Sequence, residues 1–96
     1  LKVVPIQQGS NFLAIYSNGV GLAFTDQQVS VLSQLASHIV WLDLKRTAIT
    51  DQSVPALLKF QNLEELNVQH TKLSKKSIET LKGKIAKVKY FGVKGV

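Results

Sequence analysis

Apolar residues recur along this chain in two rhythms that alternate. At Leu42–Asp51, LDLKRTAITD, two apolar residues separated by one polar residue lead into a polar turn, a Thr and, two positions on, another apolar residue. At Leu66–Lys75, LNVQHTKLSK, the same order returns 24 residues later. Ile39, Leu42, Leu44, Thr47, Ile49, Val54 and Leu57 match Leu63, Leu66, Val68, Thr71, Leu73, Ile78 and Leu81 at that one offset. The alternating triplet has the period of a short strand with one face buried. The residues after it carry the wider spacing of a helix face, so each unit reads strand, turn, helix. One such unit cannot bury its own apolar side, so neighbours must stack.

Two weaker copies flank the pair. Phe24, Thr25, Asp26, Val29 and Leu32 precede Ile49, Thr50, Asp51, Val54 and Leu57 by 25, and place a strand at 12–16 with Leu13 and Ile15 in the positions of Leu42 and Leu44. A last strand is placed from Val88, because Val88, Phe91, Val93 and Val96 follow Leu63, Leu66, Val68 and Thr71 by 25; a register on Ile85, Val88 and Tyr90 fits less well. Helix starts are legible. Thr25 with Gln28 predicts a capping box, and Thr50 and Ser74 occupy the same N-cap position. Asp26 suits the positive end of the first helix. Pro55 predicts that the second helix is short or starts late. Lys2–Ile6 reads as an edge strand or cap, because Pro5 is tolerated only at an edge.

The phrases VWLDLKRTAITDQSV and NLEELNVQHTKLSKKSI carry the apolar form L-x-x-L-x-L-x-x-T, and VKYFGVKGV follows it with Val96 in place of the Thr. This is the pattern of a leucine-rich repeat with Thr where Asn or Cys is commoner. It resembles the repeats at the C-terminus of membrane-anchored bacterial proteins that also bear a planctomycete-type cytochrome c domain, and the VVPI opening resembles the start of that module. The resemblance implies a periplasm-facing recognition or scaffolding part of an envelope protein. The fold expected is an α/β solenoid of three to four units, right-handed, with a parallel sheet on one face and short helices on the other. One domain is expected over 1–96: a cap at 1–11, then repeats at 12–38, 39–62, 63–87 and a truncated 88–96.

Composition trims the function classes. The 96 residues contain no Cys, which removes disulfides, thiolate zinc sites, haem attachment through CxxCH and Cys nucleophiles. No apolar run reaches the roughly 18–20 residues of a spanning helix. Leu1 opens the chain without a signal-segment pattern, so an excised domain is expected. The net charge of +6 is lopsided: 71–96 holds eight Lys against Glu79 alone.

Two surfaces follow from stacking the units. Residues beside the inward leucines face out in columns: Phe12, Trp41, Glu65, Tyr90; then Ala14, Asp43, Asn67, Gly92; then Tyr16, Lys45, Gln69, Lys94. Exposed aromatics among polar groups have the composition of a binding hot spot. The candidate partner-binding set is therefore Phe12, Tyr16, Trp41, Asp43, Lys45, Glu65, Asn67, Gln69 and Tyr90, with Trp41 and Tyr90 as anchors. The alternative packs Phe12 and Trp41 under the N-terminal cap or against a neighbouring domain. Lys75, Lys76, Lys82, Lys84, Lys87 and Lys89 form a candidate anionic-surface edge, for lipid or polyanion. The absence of Arg among them disfavours nucleic acid. Other chemistry is thin. Thr47 and Thr71 suit bonding to buried backbone between turns. His38 and His70 lack metal spacing, SNGVG lacks the Lys of a phosphate loop, and Asp43 with Glu65 reads as a solvated pair. No cofactor and no enzyme activity are expected. The partner is read as another protein or another domain of the parent chain.

Overall fold

The computed structural model describes residues 2–5, 12–17, 21–93 and 95. Five strands follow one another in space in chain order: β1 Lys2–Pro5, β2 Leu13–Tyr16, β3 Ile39–Asp43, β4 Glu65–Asn67 and β5 Lys87–Lys89. β1 runs antiparallel to β2, and the remaining pairs are parallel, so the sheet is mixed. Three α-helices accompany it: α1 Asp26–Leu32, α2 Val54–Leu57 and α3 Lys75–Lys82. The sheet is neither closed nor curled. A Cα radius of gyration of 12.2 Å is that of a compact domain of this length, about 12–13 Å, so the units are not drawn out into an extended rod.

The strands alternate as expected. Ile15, Leu42 and Leu66 are buried, and their neighbours Trp41, Asp43, Glu65, Asn67, Lys87 and Lys89 are exposed or half-buried. The helices contribute Val29 and Leu32, Leu57, and Ile78 and Leu81 to the same continuous core. Each unit is tied to the next by equivalent backbone bonds. The amides of Ser17, Leu44 and Val68 donate to the carbonyls of Asp43, Asn67 and Lys89 on the following strand.

These bonds correct two registers. β5 pairs Lys87 with Glu65, Val88 with Leu66 and Lys89 with Asn67, an offset of 22 rather than 25. Ile85 is buried in the place of Leu63, and Tyr90 takes the place of Val68. The missing residues come from the helix-to-strand connection. Between Leu57 and Leu63 it carries the fully buried Phe60; between Leu81 and Ile85 it is two residues shorter and has no such filler. In the first unit Ile15, not Leu13, pairs with Leu42, and the register shifts between Leu13 and Ala14. Lys94 and Val96, which the sequence placed in the last unit, lie outside the described residues.

The helix starts hold a second ladder. Asp26 Oδ1 accepts the Thr50 amide at 2.8 Å and the Ser53 hydroxyl, and Oδ2 accepts the Thr50 hydroxyl at 2.6 Å. Asp51 repeats the arrangement one unit on, accepting the Ser74 amide at 2.8 Å and the Ser77 hydroxyl at 2.6 Å. The first unit has no such predecessor among the described residues. There Gln28 Oε1 folds back on its own N-cap and accepts both the Thr25 amide and hydroxyl. In the third unit Lys75 stands where Asp26 and Asp51 stand. Partial burial acts to raise the Asp26 pKa, but the Ser53 and Thr50 bonds outweigh it and hold the carboxyl below its ordinary value. The Ser77 and Ser74 bonds lower Asp51 likewise.

The second helix starts late. A 3₁₀ turn, Asp51–Ser53, precedes α2, and Pro55 falls in its first turn, where no helical amide bond is forfeited. Thr47 and Thr71 are buried and donate to the carbonyls of Leu44 and Val68, each at 2.7 Å, closing the strand-exit turns from inside.

Candidate functional site

Strand alternation builds the outward face of the sheet in two rows. One row runs Ala14, Trp41, Glu65, Lys87; the other Tyr16, Asp43, Asn67, Lys89. Ala14 is buried despite its outward parity; the small side chain sits between Val4 of β1 and Trp41 of β3 in the same row. Trp41 is 41% exposed and Phe12 44%. Both line a cleft of about 410 Å³ with Val40 and the 61–64 segment, at the entry ends of the strands. Trp41 also borders a hollow of about 200 Å³ on the face itself, with Tyr16, Asp43, Lys45, Glu65, Asn67 and Lys89 around it. The chain's single tryptophan therefore stands between two concavities.

The polar residues are less free than the sequence suggested. Asp43 Oδ1 accepts the Lys45 amide at 3.1 Å, and Asn67 Oδ1 accepts the Gln69 amide at 3.0 Å. Each side chain thereby holds the turn that ends its own strand. Asp43 also pairs with the Lys45 ammonium at 3.7 Å. Glu65 lies between Lys87 at 3.4 Å and Lys89 at 3.8 Å. Asp43 is thus committed to a turn and Glu65 to two cations.

Tyr90 does not belong to this face. It is half-buried against the core, and the Lys82 ammonium lies 5.0 Å above its ring. The slip of the last register moves it inward and puts Lys87 and Lys89 outward. Gly92 leaves the face for the same reason. It takes the left-handed turn position, φ 79°, that Arg46 and His70 take at 59° and 56° in the preceding units. Sequence reasoning missed Phe91, 73% exposed beside Gln69's column, with the His70 ring edge-on at 5.6 Å. A signal existed: the Ile85 register puts Phe91 there.

Lys75, Lys76, Lys82, Lys84, Lys87 and Lys89 are all exposed, but Lys87 and Lys89 belong to the sheet face as well. The two candidate surfaces are thus contiguous and meet at Glu65. Among the described residues no three His, Asp or Glu side chains converge as a metal site. No helix among them is long and apolar enough to cross a membrane. Compared with family models, with curated proteins and with solved structures, the chain gives no match.

Proposed function

We propose that this chain is a non-enzymatic protein-interaction or scaffolding module, a short leucine-rich-repeat solenoid belonging to a larger bacterial cell-envelope protein, and that it docks its partner on the outward face of the sheet. Trp41 carries the reading. A large aromatic side chain, two-fifths exposed between an apolar cleft and a polar hollow, has the composition and setting of an interface anchor. Phe12 and Tyr16 extend the apolar part, and Lys45, Glu65 and Gln69 supply the polar rim. The repeat assignment is supported by parallel strands joined by equivalent bonds from unit to unit. The periplasm-facing, membrane-anchored setting and the association with a cytochrome c domain rest on the resemblance of the repeat phrases alone.

The rival reading is docking of the lysine edge on anionic lipid or polyanion, in which Lys87 and Lys89 share the one counter-charge of Glu65. Site-specific photo-crosslinking in the full-length parent protein separates the two. A crosslinker replacing Trp41 should give a discrete protein adduct, and Trp41→Ala should lower partner capture with little dependence on salt. Capture that survives Trp41→Ala but disappears on charge reversal at Lys84 and Lys87 overturns the sheet-face reading. Substrate turnover by the isolated domain overturns the non-enzymatic one.

A further inference from the structure

β5 is the last strand of the sheet, and among the described residues nothing pairs with its outer side. Lys87 and Lys89 turn their backbone groups toward β4: the Lys87 amide donates to Glu64, and the Lys89 carbonyl accepts from Val68. Strand geometry then turns the groups of Val88 and Tyr90 the other way. The Tyr90 carbonyl is taken by the Val93 amide at 3.1 Å. The Val88 amide and carbonyl and the Tyr90 amide remain as an open edge.

Charge says what fits there. Lys82, Lys84, Lys87 and Lys89 fall within this one stretch, with Glu79 the only acid after residue 71. The sheet already contains the template for a neighbour. On β4, Glu65 reaches both Lys87 and Lys89, while the adjacent Leu66 faces the core beside Val88. A strand on the other side of β5 meets the same two ammonium groups outside and the half-buried Val88 and Tyr90 inside. Lys75 adds a second, independent cue. Where the earlier units hand a carboxylate to their successor, the third offers a cation. A second copy of the chain does not suit the edge: its β5 would set Lys against Lys, and its β1 edge carries Lys2 and the amide-less Pro5.

We propose that the free edge of β5 takes an extended acidic segment of a partner protein as a sixth strand, with carboxylates at alternate positions and apolar residues between them. Main-chain bonds to Val88 and Tyr90 supply the docking, and pairing with Lys87 and Lys89 supplies the choice of sequence. This edge lies apart from the cleft of Phe12 and Trp41, although Lys89 also borders the hollow on the face.

The test uses the intact chain, isotope-labelled, and an end-blocked eight-residue peptide alternating Glu with Val. Hydrogen exchange at the Val88 and Tyr90 amides should slow about tenfold or more on saturation. N-methylation of alternate peptide amides, which removes donors while leaving the charge, should weaken binding about tenfold. The Lys87→Gln/Lys89→Gln double variant should do the same, with an unchanged melting temperature showing that the fold is intact. The proposal is overturned if the N-methylated peptide binds equally well, if a Lys–Val peptide binds equally well, or if protection appears elsewhere. It is overturned too if phosphatidylglycerol vesicles bind while the acidic peptide does not.

Discussion

Asp26 and Asp51 perform one task a unit apart, and the task is visible only between units. Each collects an amide and at least one hydroxyl from the helix start that follows it. Asp26→Ala should cost about 2 kcal/mol, the worth of charge-assisted bonds discounted for partial solvation, and Asp51→Ala about half as much; urea unfolding measures both. Both carboxyls are held below their ordinary pKa. Their contribution is therefore complete above the usual carboxylate range and fades as pH falls through their lowered folded values. Asp26→Asn should flatten the acid limb of stability against pH; an unchanged limb would show that the carboxyl titrates alike in both states. The caps themselves were legible, because Thr25 with Gln28 and the N-cap hydroxyls of Thr50 and Ser74 are local signals. The bonds across 23–27 residues were not, since no single-sequence rule links Asp26 to Ser53. Gly92 belongs to the same scale. Arg46 and His70 tolerate its left-handed backbone, so φ alone does not require glycine there. A Cβ on Gly92 would instead enter the His70 ring. Gly92→Ala should destabilise by about 1–3 kcal/mol, with the part due to the His70 clash recovered in the His70→Ala background and the part due to the left-handed backbone retained, as a double-mutant cycle would show.

At the scale of elements, the connections vary and the strands do not. Inward apolar side chains at alternating positions recur in every parallel strand, and for that reason the strands of the two strong copies were readable. The outer two slipped because length changes sit in the connections, after the strand in the first unit and after the helix before the last, where apolar spacing has no fixed period. Phe60 is the physical form of one such change: two extra residues let a ring drop into the core. Phe60→Ala should cost about 3–5 kcal/mol by chemical denaturation, whereas Phe91→Ala, at an exposed ring, should stay within about 0.5 kcal/mol. Equal losses would mean that the connection is not the wedge described. Site residues inherited these slips. Trp41, on a strongly patterned strand, was placed correctly; Tyr90, one register away, was not.

At the scale of the whole molecule, one apolar core runs from Ile15 to Val93, and each unit contributes to it. The strand order is simply chain order. The antiparallel first strand makes the sheet mixed, and Pro5 marked it as an edge in advance. Partner identity is the part no pattern of buried residues encodes, because the outward positions obey no packing constraint. The aspartate ladder has a final consequence, for inheritance rather than for strength. Its acceptor on one unit and its donors on the next are of the same kind at both junctions. A gene that duplicated the segment 48–71 in tandem would still match every Asp to a hydroxyl-bearing helix start. Such a lengthened chain should fold in one cooperative transition with a larger urea m-value; two separate transitions would contradict this. Excision of the same segment would bring Asp26 to Ser74 and Ser77 without any other edit. At Gln28 and Lys75 the Asp-to-helix-start pairing is not repeated, so the interchangeable segment is the middle one.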